Sequence, residues 1–238
     1  EDALRTALRL GDSVLIVGEV RSTEAKALYE AMRIGAVGNV VMGTIHGESA
    51  YSIWDRVVND LGVPTTSFKA TDFAIVSAPI RFKGSLKRFR RLIEVTEVKK
   101  HWENDPDREG GLLQWMTFDA SKDKLDFFED VVMKESEWLQ RVKRVRGLTV
   151  KEIFDEVKSR GETKQYLVDV AKKLDMPQIM EADYSVRAHN KYVLMADAMR
   201  TEIGGIEYPE LLKNWRTWID GTLTRDVQAV LAGKKPLA

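Results

Sequence analysis

The chain has no cysteine, only three histidines and six prolines in 238 residues, and no excess charge of either sign. Without cysteine there are neither disulfides nor thiolate metal sites, and nothing argues for an oxidising compartment. The histidines His46, His101 and His189 stand far apart with no ligand spacing around any of them, which leaves little basis for a zinc site. Lys+Arg and Asp+Glu both number 37, so no global field draws the chain to nucleic acid or to an anionic membrane. No apolar run approaches the roughly 20 residues of a membrane-spanning helix, and Glu1 to Gly11 lacks the apolar centre of a signal peptide. A cytosolic location is the default expectation, with any membrane association peripheral or through a partner. No internal repeat or low-complexity tract is present.

The 44% of hydrophobic residues suffices for one large domain or two smaller ones. The opening EDALRTALRL has helical apolar spacing at Leu4 and Leu8 and no initiator Met, so the chain is expected to begin inside a domain. Val14 to Val17 is short, apolar and β-branched, lies between Gly11-Asp12-Ser13 and Gly18, and reads as a strand buried on both faces. Ser22 is expected to cap a helix that places Ala25, Leu28, Ala31 and Met32 on one face, with Glu24 in the first turn and Gly35 or Gly38 at the end. A second apolar run, Val40-Val41-Met42, leads into GTIHGE. A strand, a helix and a strand in this order predict a parallel pair, whose carboxyl ends share one edge.

Glu19 and His46 both fall just past those strand ends, flanked by the small residues Gly18, Gly43, Thr44 and Gly47. An acid there is placed to hold a Mg²⁺-bound water or to orient an attacking water, and a histidine there to meet a phosphate. The plainer reading is an acid that meets solvent or pairs with a nearby arginine, and a polar residue at a strand end; the spacing alone leaves both open.

These residues resemble a family. LRLGDSVLIVGEVRSTEA is similar to the Walker B segment of the type II/type IV secretion ATPases, the ring motors of type II secretion, type IV pili and the archaellum. GNVVMGTIHGESAYSIWDRV resembles that family's His box, with its Thr-x-His core and a downstream arginine. The wording GEVRSTEA and the strand-rich segment after the His box look nearest to archaeal members. The resemblance implies that Glu19 is the Walker B glutamate, supporting Mg²⁺ through water and activating the attacking water, and that His46 is the His-box histidine near the γ-phosphate of ATP. Thr44 would lie beside it, and Arg21 and Arg56 would organise the nucleotide site or a subunit contact. Ser13 stands where many relatives have Asp, with Asp12 displaced by one, so neither is given a metal role.

A scan for G-x-x-x-x-G-K-[ST] finds no match; Gly233-Lys234-Lys235 lacks the preceding glycine and the Ser/Thr. The resemblance therefore suggests the C-terminal part of a RecA-like motor, starting just before Walker B, with weak nucleotide affinity and negligible turnover alone. It implies as partners the other subunits of a homo-hexamer, a polytopic inner-membrane platform protein and the missing N-terminal part of the same motor. It also implies a place on the inner face of the cell membrane and no specific nucleic acid.

Further along, Ala50, Ile53, Trp54, Val57 and Leu61 follow helical spacing, Gly62 and Pro64 stop the helix, and Arg56 falls off the apolar stripe, on an exposed face. Phe73 to Val76 reads as another core strand. RFKGSLKRFRRLIEVTEVKKHW and GLLQWMTFDASKDKLDFF, separated by ENDPDREGG, predict an antiparallel hairpin or meander. Its basic cluster Lys83, Lys87, Arg88, Arg90 and Arg91 fits a nucleic-acid surface, a solvated strand face or a rim meeting a neighbouring subunit's acids. After Phe128 the pattern turns helical. Val131, Trp138, Val142 and Val145 form a loose stripe, and Thr149 to Glu152 is a capping box opening a helix through Ile153 and Val157. Further helices are expected over Thr163 to Leu174, Ser185 to Ile203 and Tyr208 to Leu231. Trp215 and Trp218 fit either core packing or a docking face for a membrane partner.

The expected fold is thus α/β: residues 1–130 as the C-terminal part of a RecA-like ATPase sheet domain with a small antiparallel β segment, and 131–238 as a helical region. Two other functions stay open. A non-catalytic assembly or docking module would show no nucleotide effect on stability, and a nucleic-acid-binding protein would show steep salt dependence.

Overall fold

The computed structural model of the chain describes residues 14–22, 24–34, 40–81 and 86–231. The expected helix at Leu4 and Leu8, Asp12 and Ser13, the helix stop at Gly35 or Gly38, Lys83 and the Gly233-Lys234-Lys235 segment lie outside these residues. The fold is mixed α/β and divides into two compact units, Glu1–Arg146 and Gly147–Ala238.

In the first unit β1 (Val14–Val17) pairs in parallel with β2 (Val40–Gly43), and α1 (Glu24–Ile34) connects them. The register sets Val14 opposite Val40 and Val17 opposite Gly43. Leu15, Val17 and Val41 pack toward a core that contains Ala25, Leu28 and Tyr29 of α1. The pair is not buried on both faces: Ile16 is 70% and Met42 53% exposed, and Val14 and Val40 are exposed with them. Among the described residues one helix, α1, packs against this pleated pair, so burial alternates along β1.

The next helix, α2 (Ala50–Asp55), starts from a capping box in which Ser49 accepts from the Ser52 amide and the Ser52 hydroxyl answers the Ser49 amide. It widens into a π turn over Arg56–Asp60, closed by the Leu61 amide on the Arg56 carbonyl, 2.9 Å. Gly62 then takes φ +65°, the left-handed conformation that ends the helix. Ala50, Trp54 and Val57 are buried as the spacing requires. A short turn of helix, α3 (Thr65–Phe68), follows and buries Phe68 against Tyr29 and Trp102.

The strands β3 (Phe73–Ile80), β4 (Phe89–Val98), β5 (Leu112–Asp119) and β6 (Lys124–Phe127) form an antiparallel meander in that order. β3 is an edge strand with Ala74 and Val76 buried and Ile75 65% exposed, an alternation in place of a run buried throughout. In the basic cluster, Arg91 forks onto Asp123 (2.7 and 2.9 Å), and Lys87 and Arg91 both lie over the Phe89 ring.

Two helices complete this unit, α4 (Glu129–Glu135) and α5 (Glu137–Arg146). Extended backbone at Ser136 separates them, so Val131 and Trp138 do not share one stripe, and Val145 is 81% exposed. The Glu97 carboxylate, 1% exposed, accepts from the Trp138 amide (2.7 Å) and from Trp115 Nε1 (2.9 Å). Trp138 stacks edge-on to Phe73 and Trp115, and Leu139 is fully buried. These contacts keep α5 with the sheet, and the division between units falls after Arg146 rather than at residue 130.

The second unit is helical: α6 (Val150–Leu174), a 3₁₀ turn (Pro177–Met180), α7 (Ala182–Ile203) and α8 (Tyr208–Leu231). The Thr149 to Glu152 capping box is formed. α6 runs unbroken through Gly161, where the sequence suggested two helices; Glu156 paired with Arg160 (2.6 Å) and the buried Ser159 and Thr163 support that stretch. Trp215 is fully buried in the core of this unit and donates to the Ala188 carbonyl at 2.9 Å, so it presents no docking face. Trp218 packs half-buried against the same core. No described helix is long and apolar enough to cross a membrane.

Trp115→Phe removes one of two donors to a buried carboxylate while keeping most of the ring. We expect a loss of about 2 kcal/mol in urea denaturation; an unchanged midpoint would mean that the indole N–H contributes nothing to holding Glu97.

Candidate functional site

The parallel pairing does not stop where the strands end. The Thr44 amide donates to the Val17 carbonyl (3.3 Å), the Val20 amide to the Thr44 carbonyl (2.8 Å), and the Thr44 hydroxyl to the Gly18 carbonyl (2.5 Å). Thr44 thereby stitches the two strand exits together. Gly43 and Val20 are in close contact there, with Val20 buried, so Glu19 is held between a fixed Gly18 carbonyl and a fixed Val20.

On the other strand Gly47 packs so closely on α2 that an added Cβ would stand 2.5 Å from Ile53 Cγ1, which excludes any side chain without movement of the loop. Glu94 of β4 accepts from the Ala50 amide at 3.3 Å and fixes the far end of this loop. His46 is carried between Thr44 and Gly47. Both halves of the site are thus backbone-anchored, although the side chains themselves meet solvent.

The two side chains converge. His46 Nε2 lies 3.2 Å from Glu19 Oε1, and the Arg21 Nε–H donates to the same oxygen. Glu19 is one-third exposed, Arg21 and His46 more so. The Arg21 hydrogen bond, with the positive charge behind it, holds the Glu19 carboxyl below the usual carboxylate range despite some desolvation acting the other way. The stability this pairing supplies is present above the ordinary glutamate range and is lost as pH falls through the lowered value. An ionised carboxylate with its second oxygen uncommitted to these partners can accept from a water or a metal-bound water, which is the chemistry such an acid offers beside a phosphate.

Of the five candidate residues, four come together: Glu19, Arg21, Thr44 and His46 occupy one edge of the β1–β2 pair. Arg56 is not among their contacts. It is half-buried rather than exposed, and its Nε is buried with no partner among the described residues. Arg56 opens the π turn with α-helical dihedrals and lies between the buried Trp54 and Val57, so it sits at the edge of the apolar stripe and not on the fully exposed face that the spacing suggested. A cleft of about 580 Å³ lined by Ser49, Tyr51, Glu94, Thr96, Gln114 and Phe128 includes none of the five.

Sequence reading missed Glu24 as part of this edge. Ser22 was expected to cap α1; instead its hydroxyl donates to Glu24 Oε2 (2.5 Å), while Glu24 Oε1 accepts from the Arg21 and Ser22 amides at 2.8 and 3.0 Å. The acid in the first turn reaches back to the two amides and the hydroxyl of the turn that precedes the helix. A Ser two residues before a Glu carries both possibilities, and only the backbone decides which side chain turns toward which amide.

Residues 1–98, the stretch that contains this edge, match the family model described as "Type II/IV secretion system protein". That stretch is similar to the family; the match does not extend past residue 98. Over 164 residues it is 30% identical to the uncharacterized protein MJ1287 of Methanocaldococcus jannaschii, covering 68% of this chain and 56% of that protein. Over 171 residues it is 27% identical to the uncharacterized protein MJ0900 of the same organism, covering 65% of this chain and 30% of that protein. The chain therefore spans about half the length, or less, of these relatives.

Replacing Arg21 with Ala should raise the Glu19 titration midpoint toward that of a free glutamate, read by ¹³C NMR of the side-chain carboxyl. A midpoint equal to the wild type would show that Arg21 does not hold the carboxylate in solution.

Proposed function

We propose that this chain contributes the Walker B and His-box half of an ATPase site in a secretion, pilus or archaellum motor. The observation that carries the reading is the convergence of Glu19 and His46, 3.2 Å apart, at the carboxyl ends of two parallel strands within the stretch that matches the secretion-system family model. Ligands of parallel α/β sheets bind outside that edge, and an ionised acid there is matched to a hydrated Mg²⁺ and an attacking water.

In this reading Glu19 orients the attacking water and takes its proton, and it is the residue that would hold Mg²⁺ through water. His46, exposed at its tip and carried on a backbone fixed at Thr44 and Gly47, meets the γ-phosphate. Thr44 fixes the distance between the two, and Arg21 is available to the phosphates once it leaves Glu19. Arg56, with a buried unpartnered donor, serves a contact made only on assembly or nucleotide binding. ATP supplies the phosphoryl group, and Mg²⁺ would neutralise its developing charge.

The sequence contains no G-x-x-x-x-G-K-[ST], so the amides and lysine that cradle the phosphates come in this proposal from another polypeptide segment. The same reading places the chain in a homo-hexamer that works on a polytopic platform protein at the inner face of the membrane.

Glu19→Gln in the native assembly tests it. The amide keeps the shape but cannot take a proton; ATP turnover should fall about a hundredfold or more while nucleotide affinity stays within a few-fold. Turnover near the wild-type rate would remove Glu19 from the mechanism and the reading with it.

A further inference from the structure

Glu24 makes more hydrogen bonds to the turn beside the site than the start of α1 requires. Its two oxygens take three donors from two consecutive residues: the Arg21 amide (2.8 Å), the Ser22 amide (3.0 Å) and the Ser22 hydroxyl (2.5 Å). The ordinary N-cap of a helix is a side chain outside it that accepts from amides inside. Here an acid inside the first turn binds amides outside, and one of those amides belongs to the arginine that lies on Glu19.

The other side of the same turn is fixed independently. Val20 is buried and its amide is bound to the Thr44 carbonyl. Arg21 therefore stands between two pinned neighbours, Val20 held by Thr44 and Ser22 held by Glu24, and its own amide is taken by Glu24 as well. Its guanidinium is two-thirds exposed, so neither burial nor packing fixes where it points. What remains to direct it is the backbone of the turn and the attraction of Glu19.

We infer that Glu24 is a positioning residue of this site: by binding the Arg21 and Ser22 amides and the Ser22 hydroxyl, it sets the turn that lays the Arg21 guanidinium on the Glu19 carboxylate. The inference deepens the proposed function, since it assigns what orients that function's acid. Glu24 is suited to the task over the whole working range of pH. The Ser22 hydroxyl and the backbone amides hold its carboxyl down at about 2, so it stays charged, and the link is lost only as pH falls from about 4.5 toward about 2.

The alternative is that Glu24 serves only the helix. The Glu19 titration separates the two, because a helix cap has no reason to alter a carboxyl outside the helix. The signs also differ. Removing the negative charge of Glu24 would by itself lower the Glu19 midpoint slightly through lost repulsion, whereas releasing Arg21 raises it. We would prepare Glu24→Gln, Glu24→Ala and Arg21→Ala and follow the Glu19 carboxyl by ¹³C NMR, with circular dichroism recording helix content and Tm.

The expected result is a Glu19 midpoint in Glu24→Ala that rises by at least half of the increase seen in Arg21→Ala, with a smaller rise in Glu24→Gln, which keeps one acceptor oxygen. An unchanged or lowered midpoint in the folded variants, with only Tm reduced, would overturn the inference and leave Glu24 a helix cap. If Glu24→Ala does not fold, the isosteric Glu24→Gln decides on the same two outcomes. The titration needs no nucleotide, so it stands or falls apart from the turnover of Glu19→Gln.

Discussion

The candidate site depends on the continuation of a parallel strand pair beyond its regular end. A two-stranded parallel ladder is weak by itself, and the strands here contribute only four residues each. What makes the carboxyl edge definite is Thr44, which engages Val17, Gly18 and Val20 with its amide, hydroxyl and carbonyl. Backbone bonds of this kind fix Cα positions whatever the side chains do, so Glu19 and His46 are brought within reach of each other by the fold alone. Such pre-organisation is what an acid needs if it is to act on water without first reordering its surroundings.

The antiparallel sheet bears on the same edge from a distance. Glu94 binds the first amide of α2, and α2 in turn presses Ile53 against Gly47, so the loop that bears His46 is clamped between the helix it leads into and the strand it has left. The charged groups around the acid are arranged in series. Glu24 fixes the turn that carries Arg21, and Arg21 covers Glu19. Each partner is exposed enough to be displaced, and each is tied down at the backbone.

Much of this was legible in the sequence because it rests on short-range rules. A Gly-flanked apolar run ending in an acid, and another ending in Thr-x-His, locate a sheet edge once the intervening helix makes the strands parallel. The capping box at Thr149, the stop at Gly62 and the meander after Phe73 follow from turn chemistry and alternation. What was not legible depends on neighbours far away in the chain. Val14 and Ile16 read as buried because they are apolar, but burial needs a covering layer on each face, and among the described residues α1 covers one. Arg56 was read as exposed because spacing gives only the direction of a side chain, and how far its neighbours Trp54 and Val57 are buried depends on residues distant in the chain. Glu97 gave no signal at all: an acid in a strand reads as solvent-facing until two tryptophans from β5 and α5 supply its donors.

That buried carboxylate has a consequence for how the molecule comes apart. Glu97 joins the middle of the meander to the first turn of α5 through a bond that no water can readily replace. Releasing the helix would leave a charge stranded in an aromatic pocket, and opening the sheet would strand the helix amide. The first turn of the helix and the middle of the sheet are therefore coupled in opening, since neither can leave without stripping the other of a buried partner.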